Sequence, residues 1–247
     1  MKPRRRCVAR AIGLAVWLTS SGIAAAQEPA LVFVAPANHA MPFVDLQQGR
    51  LVGGILKDLG DAIAERVGRQ AAYVVVPAKR VSAALDQGEA DVLCYSAPRW
   101  IEARQVTWSR PVFDYSGVVA RRADVPPLQD LTQLAGERLG TVAGYRYLEV
   151  EEALGMTFLR DDAPDMGRNL AKLTAGRVRY AMTEALTLAY AMRESKGPRP
   201  QKALTTVSYP THCVFSTRRG LPVARLERAV DTLVTDGSVE RILARYR

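Results

Sequence analysis

Two kinds of apolar spacing alternate along the chain. Residues 31–35, Leu-Val-Phe-Val-Ala, form an unbroken apolar run of the length of a strand covered on both faces. After a turn-rich stretch at 38–50, Ile55, Leu59, Ile63 and Val67 recur every fourth position and predict a helix that stops at Gly68. Residues 71–76 read as the next strand, 81–87 as a short helix ended by Gly88, and 90–95 as a third strand. A βαβαβ order of this kind gives parallel strands joined by right-handed crossovers.

A second set follows the same plan. Strands are predicted at 138–142, 157–159 and 180–183, and helices at 147–154, 166–174 (ended by Gly176) and 186–193. Two more helices, 223–235 and 239–246, close the chain on either side of Asp236-Gly237. Extended segments at 112–119 and 214–216 join the two sets. The pattern therefore predicts two α/β lobes connected by two strands.

The first residues break this pattern and set the expected compartment. Lys2, Arg4, Arg5, Arg6 and Arg10 precede a short apolar run at 11–18, a polar break at 19–21 and Ala24-Ala25-Ala26, with no acid among them. That order is the order of a secretory signal, cleaved after Ala26. The apolar run falls well short of the ~20 residues a membrane span needs, and no later segment reaches that length, so the mature chain is not expected to be membrane-embedded. Cys7 lies ahead of the run, where a lipid-attachment cysteine would not sit. Removing 26 of 247 residues leaves 221, a length suited to two lobes. The 34 lysines and arginines less these five, against 25 acids, reduce the formal charge from +9 to +4. The basic character belongs largely to the signal, which argues against nucleic acid as a partner.

Short motifs occur in a telling order. Met41-Pro42-Phe43, Gly49 and Gly54-Ile55-Leu56-Lys57-Asp58-Leu59 come first, then Leu85…Gly88-Glu89-Ala90-Asp91, then Trp108-Ser109-Arg110-Pro111. Asp130-Leu131…Leu134-Ala135-Gly136…Leu139-Gly140…Gly144 and Leu173-Thr174-Ala175-Gly176-Arg177 follow, and Gly237-Ser238-Val239-Glu240-Arg241-Ile242…Tyr246 closes the chain. Across essentially the whole mature chain the series resembles the bacterial extracellular solute-binding proteins of family 3, the type II "Venus flytrap" receptors of ABC importers.

The resemblance implies an α/β periplasmic binding protein fold of two lobes, each with a mixed, mostly parallel sheet, and two hinge strands. Residues 27–114 and 212–247 would form the first lobe and 115–211 the second. A small polar solute would be captured between them, at the carboxyl ends of the strands, by hinge closure. The implied partners are that solute, an amino acid or related organic acid, and an inner-membrane ABC permease, with the receptor acting as a monomer in the periplasm.

The family's carboxylate-binding arginine falls in the segment Ser96-Ala97-Pro98-Arg99-Trp100-Ile101-Glu102-Ala103-Arg104. Arg104 is nearest that position and Arg99 competes with it; a planar guanidinium suits the task because it meets a carboxylate bidentately. Tyr95 and Trp100 offer an aromatic wall, with core packing as the other reading of Tyr95. Glu184 stands where the family carries its ammonium-binding acid, though a first-turn helix acid would be favoured there too. Gly144-Tyr145-Arg146 matches the loop of donors at a helix start, with Tyr145 and Arg146 bulkier than is common.

The chain also departs from the family. Ala40 stands where an aromatic lid residue is frequent, and Arg179 where an aspartate is common. Cys94 and Cys213 survive cleavage. The implied fold brings both near the hinge and suggests a disulfide, the alternative being two buried thiols. His39 and His212 show no metal-ligand spacing, no pair of carboxylates converges, and neither catalytic residues nor a cofactor are expected. Two other roles stay open: a flytrap-fold sensor or partner protein, and a dehydratase-like periplasmic enzyme.

Overall fold

The computed structural model describes residues 28–247; the expected export signal, its cleavage after Ala26, and Cys7 lie outside the described residues. Strand β1 (Leu31–Pro36) pairs in parallel with both its neighbours. A small hairpin follows, β2 (Asp45–Gln47) and β3 (Arg50–Gly53), in the stretch the pattern left as turns. Helix α1 (Ile55–Arg66) begins at Gly54, whose φ of +103° suits glycine. A Cβ there would lie 2.5 Å from the carbonyl oxygen of Phe43. Strand β4 (Ala71–Val76), helix α2 (Val81–Asp86) and strand β5 (Val92–Ser96) complete the first set.

The second set is β7 (Arg138–Val142), α3 (Leu148–Leu154), β8 (Leu159–Ala163), α4 (Met166–Thr174), β9 (Tyr180–Glu184) and α5 (Ala185–Glu194). Between the sets runs β6 (Val106–Arg121), and after them β10 (Gln201–Ser216), each sixteen residues long. These two strands pair antiparallel over their whole length, from Val106 opposite Ser216 to Arg121 opposite Gln201. One end of β10 pairs with β5, and the far end of β6 pairs with β9. The strands therefore form one ribbon in the order β4-β1-β5-β10-β6-β9-β7-β8, parallel at both ends and antiparallel in the middle.

Besides the hairpin and small shifts of element ends, the connecting strands, β8 and the start of α3 differ from the pattern. The connecting strands are far longer than the apolar segments 112–119 and 214–216, because Thr107, Ser109, Arg110, Asp114, Thr205 and Ser208 lie within them. A strand in a two-stranded stretch leaves much of its surface in water, and the alternation of apolar residues weakens there. Strand β8 starts at Leu159 rather than 157; it is the sheet edge, and its Arg-Asp-Asp run is the kind of charge that keeps an edge from pairing further. Tyr147 is the residue before α3 rather than its first member.

Each set is covered on both faces. Around β1 and β5, Ile55, Leu59 and Ile63 of α1 pack with Leu226 and Val230 of α6 (Val223–Thr235) and Ile242 of α7 (Ser238–Ala244). Val81, Ala84 and Leu85 of α2 fill the opposite face. In the second set, Val150 and Leu154 lie on one side of Leu139 and Met182, and Leu170, Leu173 and Leu188 on the other. The chain thus builds one lobe, builds a second, and returns to the first with its last two helices.

Two of the motif carboxylates hold this frame. Asp58 accepts from Tyr246 Oη (2.7 Å) and pairs with Arg245 (3.0 Å), which fastens α7 to α1. Asp91, 1% exposed, accepts from the Val32 backbone N–H at 2.8 Å and pairs with Arg219 at 3.3 Å.

Candidate functional site

The carboxyl ends of β1, β5, β7 and β9 face one another across the gap between the lobes, where open α/β sheets present ligands. The cavity they enclose measures about 180 Å³, against the ~10–15 Å³ that one water needs. It is the size for a small organic solute.

On the first lobe, β5 delivers Tyr95 with a φ of +59°. A non-glycine residue in that region costs roughly 1–3 kcal/mol and persists only where its surroundings hold it. Here the Tyr95 ring stacks on Phe43 (4.1 Å between centroids, 17° between planes) and on Phe113 (5.2 Å, 8°). Tyr95 thus both packs into the core and lines the cavity. Just behind it, the sulfurs of Cys94 and Cys213 are joined in a disulfide that ties β5 to β10.

Trp100 presents its edge to Tyr115 (5.1 Å) and Tyr209 (5.7 Å). Those two tyrosines are directly opposed on β6 and β10, with rings 5.0 Å apart, so the connecting strands themselves form part of the wall. The Arg99 guanidinium lies 4.4 Å over the Tyr209 ring.

The second lobe contributes Tyr145, Arg146, Tyr147, Glu149, Thr183 and Glu184. Glu184 is 4% exposed and is the residue before α5, so the strand end and the helix start coincide on it. Its side chain makes no cap; Oε2 accepts from Thr187 Oγ1 at 3.0 Å instead. Burial raises its pKa to about 7. Tyr147 Oη accepts from the Val142 backbone N–H, which fixes the loop entering α3. Gly144, with φ +85°, lets that loop pass close to the aliphatic part of Lys79 of the other lobe.

The two lobes touch through the loop after β1. Asn38 Oδ1 accepts from the Ala78 N–H within its own lobe (2.8 Å), while its Nδ2 donates to the carbonyls of Pro164 (2.9 Å) and Ala143 (3.3 Å) across the gap. The Met166 N–H returns a bond to the Asn38 carbonyl at 2.9 Å. Next to it, the His39 ring sits 5.9 Å from Tyr95 and 5.7 Å from Tyr145, one on each lobe. Desolvation lowers the His39 pKa to about 4, so the imidazole is neutral at pH 7. The cleft is closed.

Of the residues expected at the site, Tyr95, Ser96, Arg99, Trp100, Tyr145, Arg146 and Glu184 line the cavity. Arg104 does not, and the expectation is corrected. Its side chain is exposed, and the segment is pegged to α2: Asp86 Oδ1 accepts from the backbone N–H groups of Arg104 and Gln105 (both 2.8 Å), and Ser82 Oγ accepts from that of Glu102 (3.0 Å). Arg146 is also exposed, at the rim, and pairs with Glu151 at 3.3 Å. Arg179, another departure, pairs with Glu137 just before β9, at the end away from the cavity. Ala40 carries no lid, and the neighbouring His39 supplies the ring.

Sequence reasoning missed His39, Tyr115, Tyr147, Glu149 and Tyr209. The position of His39 just beyond a buried strand could have flagged it. Tyr115 and Tyr209 carry no such signal, because only the register of two long strands brings them together. Among the described residues no group of acids, histidines and cysteines could hold a metal ion, and no helix is long and apolar enough to cross a membrane.

Comparison with known proteins agrees with this architecture. An ancestral arginine-binding protein bound to arginine is similar in fold (TM-score 0.74, 20% identity), covering 90% of this chain and 99% of its own. The amino acid ABC transporter substrate-binding protein AbpA from Streptococcus pneumoniae, bound to L-arginine, matches with TM-score 0.71 and 16% identity over 88% of this chain and 94% of its own. A histidine kinase sensor domain with similarity to periplasmic binding proteins matches with TM-score 0.71 and 22% identity over 89% and 96%. No curated protein matches the sequence. The family model for bacterial extracellular solute-binding proteins, family 3, spans residues 32–247, nearly all of the described chain, and the chain belongs to that family.

Proposed function

We propose that the chain is exported to the periplasm, cleaved after Ala26, and acts there as a monomeric receptor that captures a small polar solute, an amino acid or a related molecule, for the inner-membrane permease of an ABC importer. One observation carries the reading: a cavity of about 180 Å³, enclosed by two lobes that β6 and β10 join, and lined by charged, polar and aromatic side chains from both. A solute bound in such a gap touches both lobes at once and stabilises the closed form over the open one by its differential contacts. The amino acid-binding relatives with the same fold support the choice of solute. Glu184 is the one fully buried carboxyl in the wall, and the half-buried Glu149 is engaged by Thr206 Oγ1; we read the site as a binding site and not a reaction centre.

A thermal-shift screen of residues 27–247 against amino acids, amines and small organic acids tests this. A solute at 100 times its Kd adds about 2.7 kcal/mol, which for a protein of this size raises Tm by about 5–10 °C. No shift with any compound at millimolar concentration would count against solute capture. The likeness to the sensor domain favours a second reading, in which the closed form signals to a partner. Deleting the gene separates the two: an importer loses uptake of the solute, whereas a sensor loses the response and keeps uptake.

A further inference from the structure

Charge is distributed unevenly between the rim and the interior of the cavity. Five charged side chains line it. Arg99, Arg146 and Glu102 are exposed at the rim, Glu149 is half-buried and accepts from Thr206 Oγ1, and Glu184 is enclosed. No lysine or arginine is buried among the described residues, and the enclosed His39 is neutral. The interior therefore holds a carboxyl, half-ionised near pH 7 while the cavity is empty, with no base beside it to balance the charge a bound cation would draw out. Rings surround that carboxyl: Tyr95, Tyr115, Tyr145 and Tyr147 line the same cavity. The hydroxyls of Tyr145 and Thr183 are enclosed there without a partner.

Such an interior discriminates between the two ends of a solute. An ammonium or guanidinium exchanges its hydration for a carboxylate, free hydroxyls and the negative faces of aromatic rings. A carboxylate in the same place would meet ring faces and a second carboxylate, and its desolvation would go unopposed. Any carboxylate the solute carries must stay at the rim, beside Arg99 or Arg146, where an ion pair in water contributes little.

We propose that the solute is an organic cation, an amine or guanidinium on an apolar body, whose charged head lies against Glu184 within the ring of tyrosines and Trp100, and that it needs no carboxylate of its own. The proposal rests on the reading of the cavity as a solute site and adds the class of solute.

Calorimetric titration of residues 27–247 with matched pairs tests it: arginine and agmatine, lysine and cadaverine, phenylalanine and phenethylamine, with succinate as the anion. The expected result is that in at least one pair the decarboxylated amine binds within about 10-fold of the amino acid or more tightly, since a rim ion pair contributes ~1 kcal/mol or less, and that succinate does not bind. Glu184→Gln, which keeps the shape of the side chain, should weaken the bound amine about 10–100-fold, the loss of a hydrogen-bonded charge. Trp100→Leu, which leaves the buried carboxyl in place, should weaken it about 5-fold. Amino acids that bind while their amines fail by more than about 100-fold would overturn the proposal and leave solute capture standing. So would succinate binding that survives Glu184→Gln. Binding by no compound in the set would overturn the cation class, and only the absence of any shift in the wider thermal screen would overturn solute capture with it.

Discussion

Glu184 and His39 face one cavity, yet burial shifts them in ways that pull stability in opposite directions. Glu184 has its pKa raised from 4.5 to about 7. Between these values the folded protein keeps a proton that the unfolded chain has released, so this contribution to stability falls as pH rises from about 4.5 to 7 and is gone above. His39 has its pKa lowered from 6.5 to about 4. There the unfolded chain takes up the proton, so stability rises across that window and is complete above 6.5. Each effect is on the order of 3 kcal/mol at full extent, and they offset one another between about pH 4.5 and 6.5. Urea unfolding of the ligand-free protein should therefore vary little with pH in that range. Glu184→Gln should remove the falling limb and exceed the wild type at pH 8 by on the order of 1–3 kcal/mol. A Glu184→Gln profile parallel to the wild type from pH 4.5 to 8 would show that this carboxyl is not desolvated. None of this was legible in the sequence, where Glu184 is one acid after a strand and His39 one residue in a loop; their titration depends on what closes over them.

Strands β5 and β10 carry the next consequence. The Cys94–Cys213 disulfide closes a loop of 119 residues that contains the whole second set of strands and helices. Crosslinks of this span restrict the unfolded chain by about 4–5 kcal/mol in the loop-entropy account. Reduced protein, or Cys94→Ser/Cys213→Ser, should lose roughly that much in denaturant unfolding, and a loss under about 1 kcal/mol would show that the bridge restrains little. The local elements were largely readable: the fourfold apolar spacing of α1 and the unbroken run of β1 describe faces that must be buried wherever they are placed. The sixteen-residue strands β6 and β10 were not, because their polar residues are allowed by a partner strand rather than called for by local pattern. Arg104 failed for a related reason: position along the chain suggested the cleft, but Ser82 and Asp86 hold its segment on α2.

The assembled protein is closed, and Asn38 is where the closure is held. Its amide bonds both lobes at once, through Ala78 on one side and Pro164 and Ala143 on the other. Asn38→Ala should leave Tm nearly unchanged, because neither core is touched, but release the gap. A net ~1 kcal/mol per hydrogen bond predicts a shift towards the open form and an apparent affinity for solute lower by about 10-fold, through faster release. Small-angle scattering of the ligand-free variant should show a larger radius of gyration than the wild type. An unchanged radius together with unchanged affinity would mean that the clasp does not set the equilibrium.

Local patterning was enough to establish two α/β sets joined by extended segments; the family came from the order of the short motifs. Apolar period and glycine stops specify each βα unit. Contacts between residues far apart decided the rest: which rings form the wall, which arginine stays in water, and which carboxyl loses it. Tyr115 meets Tyr209 across a strand register, and Asn38 meets Pro164 across a gap. The physical reason is that periodicity records which face a residue turns inward, whereas desolvation and charge depend on what the opposite side of the cavity brings to meet it.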